Sequence, residues 1–422
     1  MMNRQIAEKN LKEIFKLDHF YDDQWKTIER IFNGDRMLLI EKTGFGKSLC
    51  YQFPATQLES LTIIFSPLIA LMRDQIKYLK SLGISTECIN SEQTYEENTE
   101  ILNRARHGKI KILYIAPERQ ENSEWLEAIK DIVISMVVID EAHCISTWGH
   151  NFRPAFRRIV NLIQTLPQNF PVLATTATAT NRVANDIKTQ INVNDLSTIK
   201  GKLVRKNFEL KVVNVFNEES KMCWIKNFIE KEKGNGLVYT GTRTDTDKYA
   251  SWLQFNDIKA ANYNAGLDTE SRIEIEKGLM SNKWKCIVST NALGMGIDKP
   301  DIRYIIHTQL TQSPIHYYQE IGRAGRDGLP TKIILLYNEQ DKDLPEHFIK
   351  NSKPSEKKYL MVINTLKEEA LGEWQIMRST NLNQTQIRVI LADLIDQKII
   401  TEAMYGRSKK YEYVYNAPKL NP

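Results

Sequence analysis

Short apolar runs rich in β-branched residues recur along the first four fifths of the chain: MLLI (37–40), LTIIF (61–65), IKILYI (110–115), ISMVVID (134–140) and FPVLAT (170–175). They are continuous rather than alternating, so each predicted strand must be buried on both faces, as in a parallel sheet covered by helices. The pattern resumes at LVYT (237–240), CIVST (286–290), YIIHT (304–308) and KIILLY (332–337), after a stretch around residues 197–214 that reads as a connection between two bodies. Two tandem α/β domains are predicted, over 1–205 and 206–345.

Residues 346–422 follow another rule. Asn383 can cap a helix with Gln386 in the reciprocal position, and Ile387, Ile390, Leu391, Leu394 and Ile395 then repeat with helical spacing. IITEAM, a YGRS turn and KKYEYVY alternate like a two-stranded ribbon. Helix, helix and hairpin together suggest a small C-terminal winged helix, and Arg407, Lys409 and Lys410 at the hairpin tip suit a phosphate backbone.

Bulk properties narrow the picture only a little. The 422 residues are too many for one ordinary core, and 42% hydrophobic with 26% charged residues is an ordinary globular balance. The excess of 57 Lys and Arg over 52 Asp and Glu permits a polyanionic partner without requiring one. The N-terminal MMNRQIAEKNLKEIFK lacks an apolar signal core. No run approaches the roughly 18 apolar residues of a membrane span, so a cytoplasmic site is expected. Five scattered cysteines without a CxxC pair indicate neither a disulfide framework nor zinc.

The chemistry begins after MLLI. Glu41-Lys42-Thr43-Gly44-Phe45-Gly46-Lys47-Ser48 fits a phosphate loop except that Glu41 stands at its first glycine. Gly44 and Gly46 let backbone amides turn toward phosphate, Lys47 brings charge to the β and γ oxygens, and the Ser48 hydroxyl can hold Mg²⁺. Val137-Val138-Ile139-Asp140-Glu141-Ala142-His143 then sets two adjacent carboxylates at the end of an apolar strand. Burying them unpaired would be costly, and a metal ion resolves that cost. Asp140 can hold Mg²⁺, while Glu141 can orient and polarise the water that attacks the γ-phosphate.

Asp-Glu-Ala-His after a phosphate-loop lysine resembles superfamily 2 helicases, and the resemblance extends along nearly all of residues 15–340. Phe20 and Gln24 resemble the upstream motif in which glutamine reads adenine, with Tyr21 where the family usually has arginine. Ser66-Pro67-Leu68-Ile69-Ala70-Leu71-Met72-Arg73 and Tyr114-Ile115-Ala116-Pro117-Glu118-Arg119 look like strand-contacting motifs; each follows a predicted strand, where exposed amides and hydroxyls can grip phosphates. Cys144 to Pro154 resembles the aromatic-rich loop of RecQ helicases: Trp148 and Phe152 can stack on unpaired bases and Arg153 can meet phosphate, with Asn151 in place of the family's aspartate.

The resemblance continues through Thr176-Ala177-Thr178, a hydroxyl motif linking hydrolysis to domain motion, and through Tyr239-Thr240-Gly241-Thr242-Arg243. It also covers Thr290-Asn291-Ala292-Leu293-Gly294-Met295-Gly296-Ile297-Asp298, where Thr290 is assigned to nucleic acid and Gly296 and Asp298 to the nucleotide; Asn264 departs from the family's histidine. In Gln319 to Gly328 it implies Arg326 as an arginine finger, with Arg323 as a supporting phosphate contact. His143 joins Lys47, Asp140 and Glu141 in the catalytic set. A RecQ-like ATP- and Mg²⁺-dependent DNA helicase is implied, moving 3′ to 5′ on single-stranded or forked DNA in repair and recombination, with single-strand-binding protein among its partners. The family's zinc module uses four cysteines after the second motor domain, and no cysteine follows Cys286, so a shortened, zinc-free form is expected. An RNA helicase, or a DNA translocase that does not unwind plain duplex, is the alternative.

Overall fold

A computed structural model of the chain describes residues 2–67, 69–90, 92–121, 123–146, 154–166, 170–191, 197–203, 205–293, 299–311, 313–343, 354–405 and 408–420. Trp148, Phe152, Arg153, Gly296, Asp298 and Arg407 lie outside the described residues, and of Lys409 only the backbone is described.

Two parallel sheets carry the larger unit, Met1–Asp341. The first contains β1 (Arg36–Ile40), β2 (Leu61–Phe65), β3 (Thr86–Ile89), β4 (Ile112–Ile115), β5 (Ile134–Ile139), β6 (Val172–Thr176) and β7 (Ser197–Lys200), in the order β3-β4-β2-β5-β6-β1-β7. The second contains β8 (Phe208–Asn214), β9 (Asn235–Tyr239), β10 (Ala260–Tyr263), β11 (Cys286–Ser289), β12 (Ile302–His307) and β13 (Thr331–Tyr337), in the order β10-β11-β9-β12-β13-β8. Side chains of one strand supply two separate cores. Leu38 and Ile40 join Ile63, Phe65, Val137 and Ile139 on one face. Met37 and Leu39 join Ile64, Met136 and Val138 on the other. This two-sided burial is the physical origin of the continuous apolar runs.

Four strands escaped the apolar pattern: β3, β7, β8 and β10. They are the four sheet edges, and a strand with one neighbour keeps polar positions that weaken the signal. The connecting stretch is therefore not plain linker, because β7 closes one edge of the first sheet beside β1 and β8 closes one edge of the second beside β13.

The smaller unit, Lys342–Pro422, has its own core. Helices over Glu356–Glu368, Glu373–Thr380 and Gln384–Asp396 precede an antiparallel hairpin of Ile400–Tyr405 and Ser408–Tyr413. Asn383 caps the third helix, its side chain accepting from the Gln386 amide at 2.9 Å. Ile387, Ile390, Leu391 and Leu394 are buried as their spacing requires. Among the described residues of this unit there is one more helix than the periodicity indicated. Among the described residues no helix is long and apolar enough to cross a membrane.

Gly236 in β9 lies under the fully buried Tyr304 ring, into which any Cβ would run. The Tyr304 hydroxyl is anchored on the Lys285 carbonyl at 2.9 Å, so the ring cannot step aside cheaply. We expect Gly236→Ala to cost about 2 kcal/mol through overpacking, read as a lowered denaturation midpoint. An unchanged midpoint would contradict the packing described.

Candidate active site

The sheet order brings the sequence-defined groups together. β1, β5 and β6 lie at the centre of the first sheet, β6 between the other two, and their carboxyl ends deliver the phosphate loop, Asp140 and Thr176 to one edge. Gly44 and Gly46 adopt φ of 74° and 84°, the left-handed region that a side chain disfavours. The Lys47 ammonium donates to the loop's own carbonyls, Glu41 at 3.0 Å and Lys42 at 3.3 Å. Desolvation lowers its pKa, opposed by the carboxylates of Glu141 and Asp140.

Asp140 is nearly buried. Burial first, and then the Glu141 charge, push its carboxyl up to about 6, against the hydrogen bonds that favour the anion. Those come from the Thr175 hydroxyl at 2.6 Å and the Glu141 amide at 3.0 Å. Glu141 itself sits at φ 52°, a strained conformation for a side chain of its size and one common where geometry serves chemistry. His143 is buried, which alone would lower its pKa. The Cys144 thiol and the Glu141 carboxylate outweigh that and push it up to about 10. Its ring then carries the proton at Nδ1, 3.1 Å from both Glu141 Oε2 and Thr176 Oγ1. Two crowded carboxylates, one held partly protonated by desolvation, form a donor set that fits a divalent cation.

The second lobe closes on this edge. Thr43 Oγ1 in the phosphate loop donates to the Gly322 carbonyl at 2.8 Å. Gln319 Nε2 reaches Thr178 Oγ1 at 3.4 Å, and the Tyr318 hydroxyl donates to the Leu203 carbonyl at 2.5 Å. A Cβ added to Gly44 would stand 3.2 Å from Arg326 Cγ and Cδ, so the Arg326 stem lies against the loop. Arg323 is nearly buried, with its guanidinium beside the Tyr239 hydroxyl.

Placement is less direct elsewhere. The Phe20 ring is core, edge-on to Phe53 at 5.0 Å, whereas the ring that meets phosphate-loop Phe45 is Tyr21, with centroids 5.9 Å apart. Gln24 spans the same corner: its Oε1 accepts from the Tyr21 amide and its Nε2 donates to the Phe45 carbonyl. The Ser66 side chain is buried, and Arg73 is salt-bridged to Glu92. Thr242 caps the helix Arg243–Phe255, and Thr290 Oγ1 accepts from the Ala292 amide. Lys410 stands opposite Ala403 in the hairpin. Sequence reasoning missed Thr175 and Arg205. The first hid inside an apolar run, and the second lay in the presumed connection.

The DEAD/DEAH box helicase family profile matches residues 21–187, and that of the helicase conserved C-terminal domain matches residues 220–328. The chain is 38% identical over 353 residues to the ATP-dependent DNA helicase RecQ of Bacillus subtilis, covering 83% of this chain and 59% of that protein. It is 35% identical over 403 residues to the probable ATP-dependent DNA helicase RecS of the same organism, covering 94% and 81%. In fold it matches the solved structure of the DUF1998 helicase MrfA bound to DNA and AMPPNP, with TM-score 0.67, 18% identity, and coverage of 99% of this chain and 63% of that one. Fold and site thus define tandem RecA-like domains of the superfamily 2 helicase class. The chain belongs to the RecQ family of that class. It spans less than two thirds of the length of several curated RecQ relatives that it matches.

The raised Asp140 pKa carries a stability cost with a defined sign. Between the unfolded value near 4 and the folded value near 6, the folded chain binds more protons. Stability from this group is therefore present at low pH and lost as pH rises through about 6. We expect Asp140→Asn, in metal-free buffer at pH 7.5, to stabilise the protein by roughly 1–3 kcal/mol, with the gain disappearing below about pH 4. Thermal denaturation across pH reads this, and equal stability of both proteins at pH 7.5 would refute it.

Proposed function

We propose that this chain is the motor of an ATP- and Mg²⁺-dependent DNA helicase that moves 3′ to 5′ on single-stranded DNA and opens duplex or forked DNA in repair and recombination. The observation that carries the reading is that the phosphate loop, whose Lys47 lies near Asp140 and Glu141, is tied to the segment leading to Arg326 by the Thr43–Gly322 hydrogen bond. In this reading residues 1–205 and 206–345 are the two motor bodies, and 346–422 is a winged-helix module that offers Arg407, Lys409 and Lys410 to the backbone. Single-strand-binding protein is a candidate partner, and the cytoplasm the place of action.

Glu141 is the base that orients the attacking water, its carboxylate near enough to Lys47 of the loop to act on that ammonium. His143, whose pKa Cys144 and Glu141 raise, ties Glu141 to Thr176 and so to the hydroxyl motif of the first lobe. When bound through Ser48 and Asp140, Mg²⁺ would supply charge neutralisation at the phosphates. Arg326 adds its charge when the lobes close, with Arg323 in support, so each hydrolytic cycle opens and shuts two strand-gripping bodies. Ser66, Arg73, Thr242, Arg243 and Thr290 are the gripping positions, Trp148, Phe152 and Arg153 the base-stacking loop, and Gly296 and Asp298 nucleotide contacts of the second body. That the RecQ and RecS relatives are named DNA helicases supports DNA as the track.

The test is ATP hydrolysis and strand displacement on 3′-tailed, 5′-tailed and blunt duplexes, with RNA controls. We expect DNA-stimulated hydrolysis and displacement of the 3′-tailed substrate. Lys47→Ala should lose hydrolysis, and Trp148→Ala should keep nucleotide binding yet lose DNA stimulation. Equal activity on every substrate, without DNA stimulation, would remove the helicase reading.

Base selection is expected to be loose. Gln24 is committed at both ends of its amide to the chain, and Tyr21, 59% exposed beside Phe45, offers a face that any purine can cover. GTP should be hydrolysed within about tenfold of ATP, and Tyr21→Ala should raise KM for both, an effect of about 1 kcal/mol. A hundredfold preference for ATP would exclude this role for Tyr21.

A further inference from the structure

Between the two sheets stands a charged side chain that no motif accounts for. Arg205 lies between β7 and β8 and is 8% exposed. Its Nη1 donates to the Ala324 carbonyl at 2.6 Å, and its Nη2 to the Gly322 carbonyl at 2.9 Å and to the Thr43 carbonyl. Thr43 belongs to the phosphate loop, whereas Gly322 and Ala324 flank Arg323 and precede Arg326 by a few residues. A Cβ on Gly44 would be 3.2 Å from Arg205 Nη2 and equally close to the Arg326 stem, so both arginines lie against one point of the loop. Asn207 extends the seam, its Nδ2 donating to the Gly325 carbonyl at 2.9 Å and to the Leu329 carbonyl at 2.8 Å.

Simple cohesion does not call for a cation here. Burial lowers the Arg205 pKa, and the charge of Arg326 lowers it further, so the guanidinium sits where its charge is disfavoured twice. A neutral amide could bridge carbonyls without that repulsion. What a guanidinium adds is a rigid planar fork whose donors meet acceptors from two chain segments in one fixed geometry. It also holds a second positive charge near Arg326, which disfavours collapse of the Arg326 head back onto the seam.

We propose that Arg205 is a positioning residue that couples the phosphate loop to the placement of Arg326, so that a change in the loop at Thr43 is passed directly to the segment carrying the finger. This rests on the ATPase reading above. Arg205 touches neither phosphate nor water in this role and acts through Arg326.

The full chain tests it. Nucleotide affinity is read with a fluorescent ATP analogue, and kcat and KM for ATP hydrolysis are read with saturating single-stranded DNA. The proteins are the native chain, Arg205→Lys, Arg205→Gln, Arg326→Ala and the pair Arg205→Lys with Arg326→Ala. Both Arg205 variants should keep nucleotide Kd within threefold and lose tenfold or more in kcat. In the Arg326→Ala background, Arg205→Lys should cost less than twofold further, because a residue acting through another is not additive with it. A kcat within twofold of native, a Kd weakened in parallel with kcat, or the full tenfold loss repeated on top of Arg326→Ala overturns the proposal. If the lysine variant does not fold, kcat and Kd of Arg205→Gln decide. A native chain without DNA-stimulated hydrolysis fails before any variant is compared, and that result removes the motor reading together with this one.

Discussion

The site depends on keeping a carboxylate charge out of water at the end of β5. Burial and the neighbouring Glu141 oppose ionisation of Asp140, while Thr175, the nearby Lys47 and the Glu141 amide favour it. A parallel sheet is suited to hold such a charge, because its carboxyl ends present loops and unpaired amides while both faces are sealed by apolar side chains. Beside this carboxyl stand the left-handed backbone of Glu141 and the buried His143, whose pKa Cys144 and Glu141 raise. Stability is given up locally so that the carboxylates face the phosphate loop.

The second lobe meets the phosphate loop with the turn that precedes Arg326. Backbone carbonyls of the 322–324 turn accept from Thr43 and from Arg205, so the turn is fixed to the phosphate loop through main-chain atoms. Side-chain identity is thereby freed for Arg323 and Arg326. A joint built on carbonyls is indifferent to which residues carry them, whereas the groups that donate into it are not interchangeable.

Much of the architecture was legible because burial on two faces leaves a dense apolar record. LTIIF matches β2 residue for residue, and the central strands β1, β5 and β12 all fall within a residue or two of their runs. The edges were not legible. TECI, STIK, FELKVVN and AANY carry polar residues because one flank of each faces no neighbouring strand. In the site, Lys47, Asp140 and Glu141 could be read because a loop fixes their spacing in the chain. Phe20 and Tyr21 show the limit: adjacent residues of similar chemistry lie on opposite sides of a helix entry, one in the core and one beside Phe45.

By itself the sequence determined which groups could do chemistry, since a phosphate loop and an acidic strand end are local patterns whose geometry is set by a few consecutive residues. It also determined that two such α/β bodies follow one another, and that a separate helical and hairpin module comes after them. Only the tertiary structure decided which distant segments share the cleft. Thr43 and Gly322 lie 279 positions apart, and Arg205 stands in a stretch whose pattern announces nothing. These contacts between lobes are a few side-chain donors meeting backbone carbonyls and one hydroxyl, which leave no period and no composition in the chain, so the folded arrangement is what reveals them.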